Sequence, residues 1–247
     1  MTIKHPTPDR IPALKALWQG VFGDTEAFLD SFFNLAFSPE RSLCFDEGDA
    51  VFGAVYWFDC TWNGKKVAYL YALQVAEAHR SRGLGRELML EAHRVLERRG
   101  YQGVCLVPGE AALTGWYEKL QYVSFGLPRQ DAIPAEDPAL PLTEVLAEDY
   151  CQERSRFVGN NAILQADGCF PFLESCLQFW AGRDFLLCGT ITEDTLYIQE
   201  YLGACRNLPG IACALKVQRA VFSQQGAMYF PLDGDSALPG YFGIPIN

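Results

Sequence analysis

Arg80-Ser81-Arg82-Gly83-Leu84-Gly85 combines the residue types and spacing best suited to chemistry in this chain. Glycines at 83 and 85 permit positive φ and let a ligand approach the backbone closely. Arg80 and Arg82 supply formal positive charge, and Arg86 follows in the next turn. An apolar strand-like run, Val67 to Val75, leads into the loop, and a strongly amphipathic run, Leu84 to Arg99, leaves it. Strand, glycine turn and helix start together make an anion cradle. Unpaired N–H groups at the helix start point toward the ligand, and the helix dipole adds partial positive charge. A diphosphate is the anion that such a cradle fits.

Two other diphosphate loops do not match. The dinucleotide fingerprint needs a small residue three positions after the second glycine, where this chain has Leu88. It also needs an acidic residue further on, where the chain reads Gly100-Tyr101-Gln102-Gly103-Val104-Cys105. Both facts disfavour a nucleotide-binding oxidoreductase. A triphosphate P-loop needs Gly-Lys followed by Ser or Thr, which is absent. Arg-x-x-Gly-x-Gly instead resembles the coenzyme A pyrophosphate loop of the GNAT superfamily of acyl-CoA-dependent N-acetyltransferases. Leu73-Gln74-Val75 precedes the loop at that family's spacing, and Gly100 closes the helix. After a strand-like run from Gly103 to Val107 comes Trp116-Tyr117-Glu118-Lys119-Leu120, which is similar to the family's Tyr-Glu-Lys-Leu-Gly-Phe segment. The resemblance covers roughly residues 1–130.

The resemblance implies an α/β (α+β) fold, a mixed central sheet with flanking helices, and acetyl-CoA as co-substrate without a metal. It assigns cofactor binding to Leu73, Val75, Arg80, Ser81, Arg82, Gly83, Leu84, Gly85 and Arg86. The pantetheine arm would lie against the main chain of Leu73 and Val75, with a backbone N–H near Val75 polarising the acetyl oxygen. The reaction implied is attack of an amine on a thioester. An alkyl ammonium has a pKa of roughly 10 and must first lose a proton, while the leaving thiolate must gain one. Tyr117 is the expected proton donor. Departures from the pattern are Gln121, where the family commonly has Gly, Tyr122 in place of Phe, and Glu110 where relatives carry an Asn near the cofactor. Gln at a left-handed cap costs on the order of 1 kcal/mol, so the short helix is expected to end differently. Glu110 either repels the pyrophosphate or faces the amine as a base. Asp59, Glu110 and the terminal carboxylate of Asn247 are the candidate bases, and Tyr69 and Tyr71 stand on the strand before the loop.

The elements that must position these residues are legible in outline. Pro8 to Phe22 reads as a helix with Leu14, Leu17 and Val21 on one face. Asp24 reads as the N-cap of a second helix faced by Phe28, Phe32 and Leu35. These two helices either wall a substrate cleft or simply cover the sheet. A short strand over Arg41 to Phe45 is followed by strands Ala50 to Cys60 and Lys66 to Val75, joined by the hairpin signal Asn63-Gly64. Leu84, Leu88, Ala92, Val95 and Leu96 form one stripe of the next helix.

Asp131 to Pro141, with three prolines, is the expected linker, dividing a domain of residues 1–132 from a second, smaller α+β lobe of residues 142–247. In that lobe Leu142 to Val158 and Phe170 to Trp180 read as helices. A hairpin, Phe185 to Ile191 and Thr195 to Leu202, precedes a helix-like run Ile211 to Phe222 and a strand Ala227 to Leu232. This order repeats residues 51–107, but Gly203-Ala204-Cys205-Arg206-Asn207-Leu208-Pro209-Gly210 lacks the loop motif. A degenerate repeat without a cofactor site is one reading, and an unrelated lobe is the other.

Net charge is −10, which disfavours nucleic acid as a partner and either steers a cationic amine inward or simply serves solubility. Nine cysteines without a Cys-x-x-Cys pair read as reduced, mostly buried residues. His79 adjoins the loop and reads as a surface residue within reach of the cofactor. No apolar run approaches the ~20 residues that span a membrane, and no signal-type segment opens the chain, so a cytoplasmic location is the default. The expected function is acetyl transfer to the amine of a small molecule. The rival is an acyl-CoA-binding or scaffolding protein without turnover.

Overall fold

The computed structural model describes residues 2–47, 50–126, 129–224 and 226–245. It shows the expected α+β class with mixed sheets. The first half begins with β1 (Thr2–Lys4), then α1 (Ile11–Phe22) and α2 (Glu26–Leu35). Strands β2 (Ser42–Glu47), β3 (Ala50–Trp62) and β4 (Lys65–Val75) follow, and α3 (Leu84–Arg98) leads to β5 (Gly103–Leu106). A short α4 (Thr114–Glu118) and β6 (Val123–Phe125) close this half. Asn63 and Gly64 take positive φ (49° and 77°), the geometry of the hairpin turn their pairing predicts. Asp24 is not the α2 cap. Thr25 holds that place, its Oγ1 accepting from the Phe28 N–H, and Asp24 accepts instead from the Trp18 indole.

The second half contains β7 (Arg129–Pro134), β8 (Thr143–Glu144), α5 (Ala147–Val158), β9 (Ala162–Gln165) and α6 (Phe170–Cys176). Then come β10 (Gln178–Gly182), β11 (Phe185–Thr192), β12 (Thr195–Leu202), α7 (Leu208–Ala214), β13 (Arg219–Gln224), β14 (Ala227–Pro231) and β15 (Tyr241–Phe242). Four expectations shift. The helix expected over 142–158 begins only at Ala147, because Thr143 and Glu144 pair with β10. Part of the expected linker is β7, an edge strand paired with β13. The helix expected over 170–180 stops at Cys176 because Gln178–Gly182 is claimed by the sheet through β11. The helix expected over 211–222 runs from 208 to 214, ends at left-handed Lys216 (φ 58°), and gives way to β13, which pairs parallel with β12.

Strand order carries the main surprise. The first sheet runs β1-β2-β3-β4-β5-β14-β6, and the second runs β7-β13-β12-β11-β10-β8. β4 and β5 are parallel, as are β12 and β13. Each parallel pair follows an antiparallel hairpin and is joined by a helix. In both sheets the strand beyond the parallel pair is distant from it in sequence. β14, from near the C-terminus, lies antiparallel between β5 and β6, while β7 lies antiparallel beside β13.

Period-two alternation sorts the strand side chains into layers. Val55 and Trp57 of β3, with Ala68 and Leu70 of β4, pack under Leu84, Leu88, Met89, Ala92, Val95 and Leu96 of α3. Tyr56, Phe58, Tyr69 and Tyr71 face the other way, into a core shared with Phe172, Phe179, Leu186 and Phe242 of the second half. Inside that region sit Arg154 and Glu200, 0% and 1% exposed. The guanidinium Nη2 donates to Glu200 Oε1 at 2.9 Å, and the hydroxyls of Tyr150 and Tyr241 donate to the same carboxylate at 2.9 and 2.7 Å. Gln165 Nε2 donates to the carbonyls of Gly243 and Ile244 at 2.6 and 3.0 Å, so the C-terminal tail is docked through this network. A Cβ at Gly243 would collide with Glu200 Oε1.

Candidate active site

The site is built by a strand that leaves its neighbour. β4 pairs with β5 only through Val67↔Gly103, Ala68↔Val104 and Tyr69↔Cys105, although β4 continues to Val75. The cause is local. Ala72 takes φ 49°, the register with β3 slips between Ala54 and Tyr56, and the bulged strand bends. Beyond Tyr69, the described pairing of β4 is with β3 alone, which leaves the β5 side of its main chain open.

A cavity of about 340 Å³ occupies that opening. Leu73, Gln74 and Val75 line it from β4, the loop contributes His79, Arg80, Ser81 and Gly83, and Leu84, Gly85 and Arg86 contribute the start of α3. Leu113, Trp116 and Tyr117 form the opposite side. Of the nine cofactor residues expected from sequence, eight therefore surround one cavity, and Arg82 is exposed outside it.

The loop has the conformation the cradle requires. Ser81 and Gly83 take φ of 60° and 83°, and Gly83 is the N-cap of α3. No side chain caps this helix, so its first N–H groups have no partner of that kind. Space around Gly83 is open, since a Cβ there would meet nothing within 4 Å. Arg80 Nε donates to the Val75 carbonyl at 3.1 Å, tying the loop back to the strand end. Gln74 Oε1 and His79 Nδ1 are buried without a hydrogen-bond partner, and both residues line the cavity. Orphaned polar atoms beside an uncapped helix start are what a polar, anionic ligand would satisfy. The residues present thus fit coenzyme A. Sequence reasoning places His79 at the surface within reach of the cofactor and does not assign Gln74 or Trp116, whose ring lies 3.6 Å from where a Gly85 Cβ would sit.

A second cavity, of about 330 Å³, adjoins the first. Leu73, Leu113 and Tyr117 line both. Burial pushes the Tyr117 phenol up to about 12, and its ring meets Trp116 and Tyr122 at centroid distances of 4.8 and 5.9 Å. Trp18, Tyr69, Tyr71 and Asp24 also line this second cavity, which makes α1 a wall of the cleft. Asp24 was missed because its role depends on a chain reversal. Gly23 ends α1 at φ 75° and turns Asp24 back toward Trp18, six residues earlier.

Two expected bases lie elsewhere. Glu110 is exposed at the start of a short turn and lines neither cavity. Asp59 is occupied with Arg41, 3.3 Å away, and with the Tyr101 hydroxyl. Asn247 is outside the described residues. Gln121 departs from expectation in another way: it adopts the left-handed conformation itself (φ 68°), so the segment ends where a family glycine would end it. All nine cysteines are free, and the described residues hold no group of three or more potential metal ligands. No described helix is long and apolar enough to cross a membrane.

Comparisons with known proteins agree with this geometry. Residues 2–123 match the family model of the acetyltransferase (GNAT) domain. No curated protein matches the sequence. Among solved structures, a GCN5-related N-acetyltransferase from Kribbella flavida is similar at 15% identity and a TM-score of 0.72, over 94% of this chain and 71% of that one. A GCN5-related N-acetyltransferase from Anabaena variabilis gives 15% and 0.67, over 94% and 72%. Eis1 from Mycobacterium abscessus gives 11% and 0.66, over 94% and 74%. At these identities the likeness is one of fold, and it extends over both halves. Residues 2–123 thus match the GNAT acetyltransferase domain in sequence, and the chain as a whole has the fold of GNAT N-acetyltransferases.

Proposed function

We propose that this protein transfers an acetyl group from acetyl-CoA to the amine of a small molecule. One observation carries the reading: the cradle cavity and the aromatic cavity meet at Leu73, Leu113 and Tyr117. Two substrates entering from opposite sides would touch there. The N–H groups of the α3 start, with Arg80 and Arg86, hold the pyrophosphate. Open main chain on β4 pairs with the pantetheine amides, and a backbone N–H near Val75 polarises the acetyl oxygen.

Tyr117 acts on the leaving sulfur. Its phenol, raised to about 12 by burial, stays protonated at any physiological pH. It is then a weaker acid than a thiol of pKa about 8.5, so its main contribution is a hydrogen bond to the charge developing on sulfur. The rival reading, a binding or scaffolding protein without turnover, keeps the cradle but loses transfer.

The test is a calorimetric titration with acetyl-CoA, run beside Gly83→Glu, followed by thiol release with a panel of amines. Saturable binding that the variant loses, together with release of thiol, supports the enzyme. Binding without release favours the rival. Absence of binding in the unmodified protein removes both.

A further inference from the structure

The second cavity has a distinct chemical character. Trp18 and Phe22 from α1, Tyr69 and Tyr71 from β4, and Tyr117 from α4 wall it with rings. Phe22 and Leu113 remain 47% and 41% exposed, so its rim is apolar as well. Among the described residues that line it, Asp24 is the only carboxylate, and none is Lys, Arg or His. The Asp24 Oδ2 accepts from Trp18 Nε1 at 2.7 Å. A carboxylate offers about four acceptor sites, so one indole N–H leaves most of that capacity unspent. An anion held among aromatic rings calls for a cation, and ring faces attract cations as well.

Resting on the acetyl-transfer reading above, we propose that Asp24 binds the acceptor as its ammonium ion and takes the proton the amine must lose. The acceptor class is then a primary amine on an aromatic or otherwise apolar body that carries no carboxylate. The step balances. One ammonium proton passes to Asp24 and then to water. The freed nitrogen lone pair forms the C–N bond as the C–S bond breaks, and the second nitrogen proton ends on the sulfur as the thiol. Tyr117 donates a hydrogen bond to that sulfur while the charge is on it.

The titratable groups that line the cavity with Asp24 are the phenols of Tyr69 and Tyr71 from β4 and of Tyr117 from α4, and the charge of Asp24 acts on Tyr71. The Cys176 thiol of α6 acts on Tyr71. Burial, and secondarily the charge of Asp24, raises the Tyr71 phenol. Burial likewise raises Tyr117 and Cys176. The Tyr71, Tyr117 and Cys176 groups therefore stay neutral through the assay range, and Asp24 is the group whose charge meets the amine.

The experiment uses acetyl-CoA with 2-phenylethylamine, and with phenylalanine as the same body bearing a carboxylate. Asp24→Asn keeps an oxygen to accept from the Trp18 indole, so the fold is expected to survive, and unchanged acetyl-CoA affinity checks this. Unmodified protein binds the ammonium form, which predominates below pH ~10, so its kcat/KM varies little between about pH 7 and 9. Asp24→Asn must await neutral amine, and its kcat/KM falls about 100-fold at pH 7 and climbs about tenfold per pH unit. Asp24→Glu restores the shallow profile. Phenylalanine is expected to react about 100-fold more slowly than phenylethylamine. The inference is overturned by parallel pH profiles of Asp24→Asn and unmodified protein, or by equal use of the two acceptors. Should turnover be too slow to read, phenylethylamine is titrated into coenzyme-A-loaded protein. Binding weakened at least tenfold by Asp24→Asn supports the inference, and equal binding overturns it. Thiol release from acetyl-CoA that survives either failure shows that the parent reading stands without this one, whereas acetyl-CoA binding without release favours the rival reading.

Discussion

The two halves use the same strand and helix order around a parallel pair, yet only one leaves its helix start open. In the first, α3 has 15 residues, its N-cap is left-handed Gly83, and a cavity lies before it. In the second, α7 has 7 residues and begins with Leu208-Pro209. Chain from residues 136–140 lies directly on it. The Glu136 N–H donates to the Pro209 carbonyl at 3.1 Å, and the Leu140 N–H to the Gly210 carbonyl at 2.9 Å. A Cβ on Gly210 would come within 2.7 Å of the Pro138 carbonyl. The helix start that lies open beside a cavity in one half is thus covered by the protein's own backbone in the other. A shared topology supplies an anion site only where the loop is long enough, rich enough in left-handed positions, and left uncovered.

Glycines near the two helix starts, Gly83 before α3 and Gly210 in the first turn of α7, should therefore fail in different ways. The largest effect is expected for Gly83→Glu, which sets a carboxylate on a left-handed position facing the cradle. Acetyl-CoA affinity should drop at least 100-fold by calorimetry. Positive φ costs about 1–2 kcal/mol, a shift of only a few degrees in Tm for a chain of this size. Tyr117→Phe comes next, with kcat lowered about 100-fold and acetyl-CoA affinity within about threefold. Because burial raises that phenol to about 12, loss of its proton cannot reduce the unmodified rate below that pH, and an alkaline limb near neutrality that vanished in Tyr117→Phe would contradict its placement. Gly210→Ala should show the reverse of Gly83→Glu. Overpacking against a backbone carbonyl costs about 1–3 kcal/mol, read as a lowered urea midpoint, while acetyl-CoA affinity is unchanged. If Gly210→Ala weakened binding and left stability alone, the view of this segment as a filled, ligand-free counterpart would be wrong.

Sequence made the first half legible because its signals were local. The Asn63-Gly64 turn, the apolar stripe of α3 and the glycine loop each fix structure within a few residues. The second half misled wherever distant pairing overrode local preference. Gln178–Gly182 and Arg219–Gln224 fell at the ends of apparently helical runs, and only their partners β11 and β12 make them strands. The destination of β14 was also invisible. Ala227–Pro231 reads as a strand, but nothing in it says that it enters the first sheet between β5 and β6. At the site, the cradle residues were legible through their motif. Asp24 was not, since its contribution depends on the reversal at Gly23 and on a cavity assembled from α1, β4 and α4.

The ends of α3 and α7 permit the finest test of the comparison. Both helices close with the same backbone pattern. The Tyr101 N–H donates to the Leu96 carbonyl at 3.0 Å, and the Val217 N–H to the Ala212 carbonyl at 3.1 Å. Each is preceded by a left-handed residue, Gly100 (φ 76°) in one half and Lys216 (φ 58°) in the other. Tyr101 and Val217 are both buried, 5% exposed, as the apolar residue of such a closure should be. Glycine adopts this conformation without strain, whereas an L side chain loses roughly 1 kcal/mol there. Lys216 is exposed, so its removal leaves no hole in the core. Lys216→Gly is therefore expected to gain about 0.5–1 kcal/mol and Gly100→Lys to lose about 1–2 kcal/mol. Urea titration of both variants reads the pair. Opposite signs would establish that the two halves end their helices by the same mechanism, and a loss in both would mean that the Lys216 side chain contributes more than its backbone strain costs.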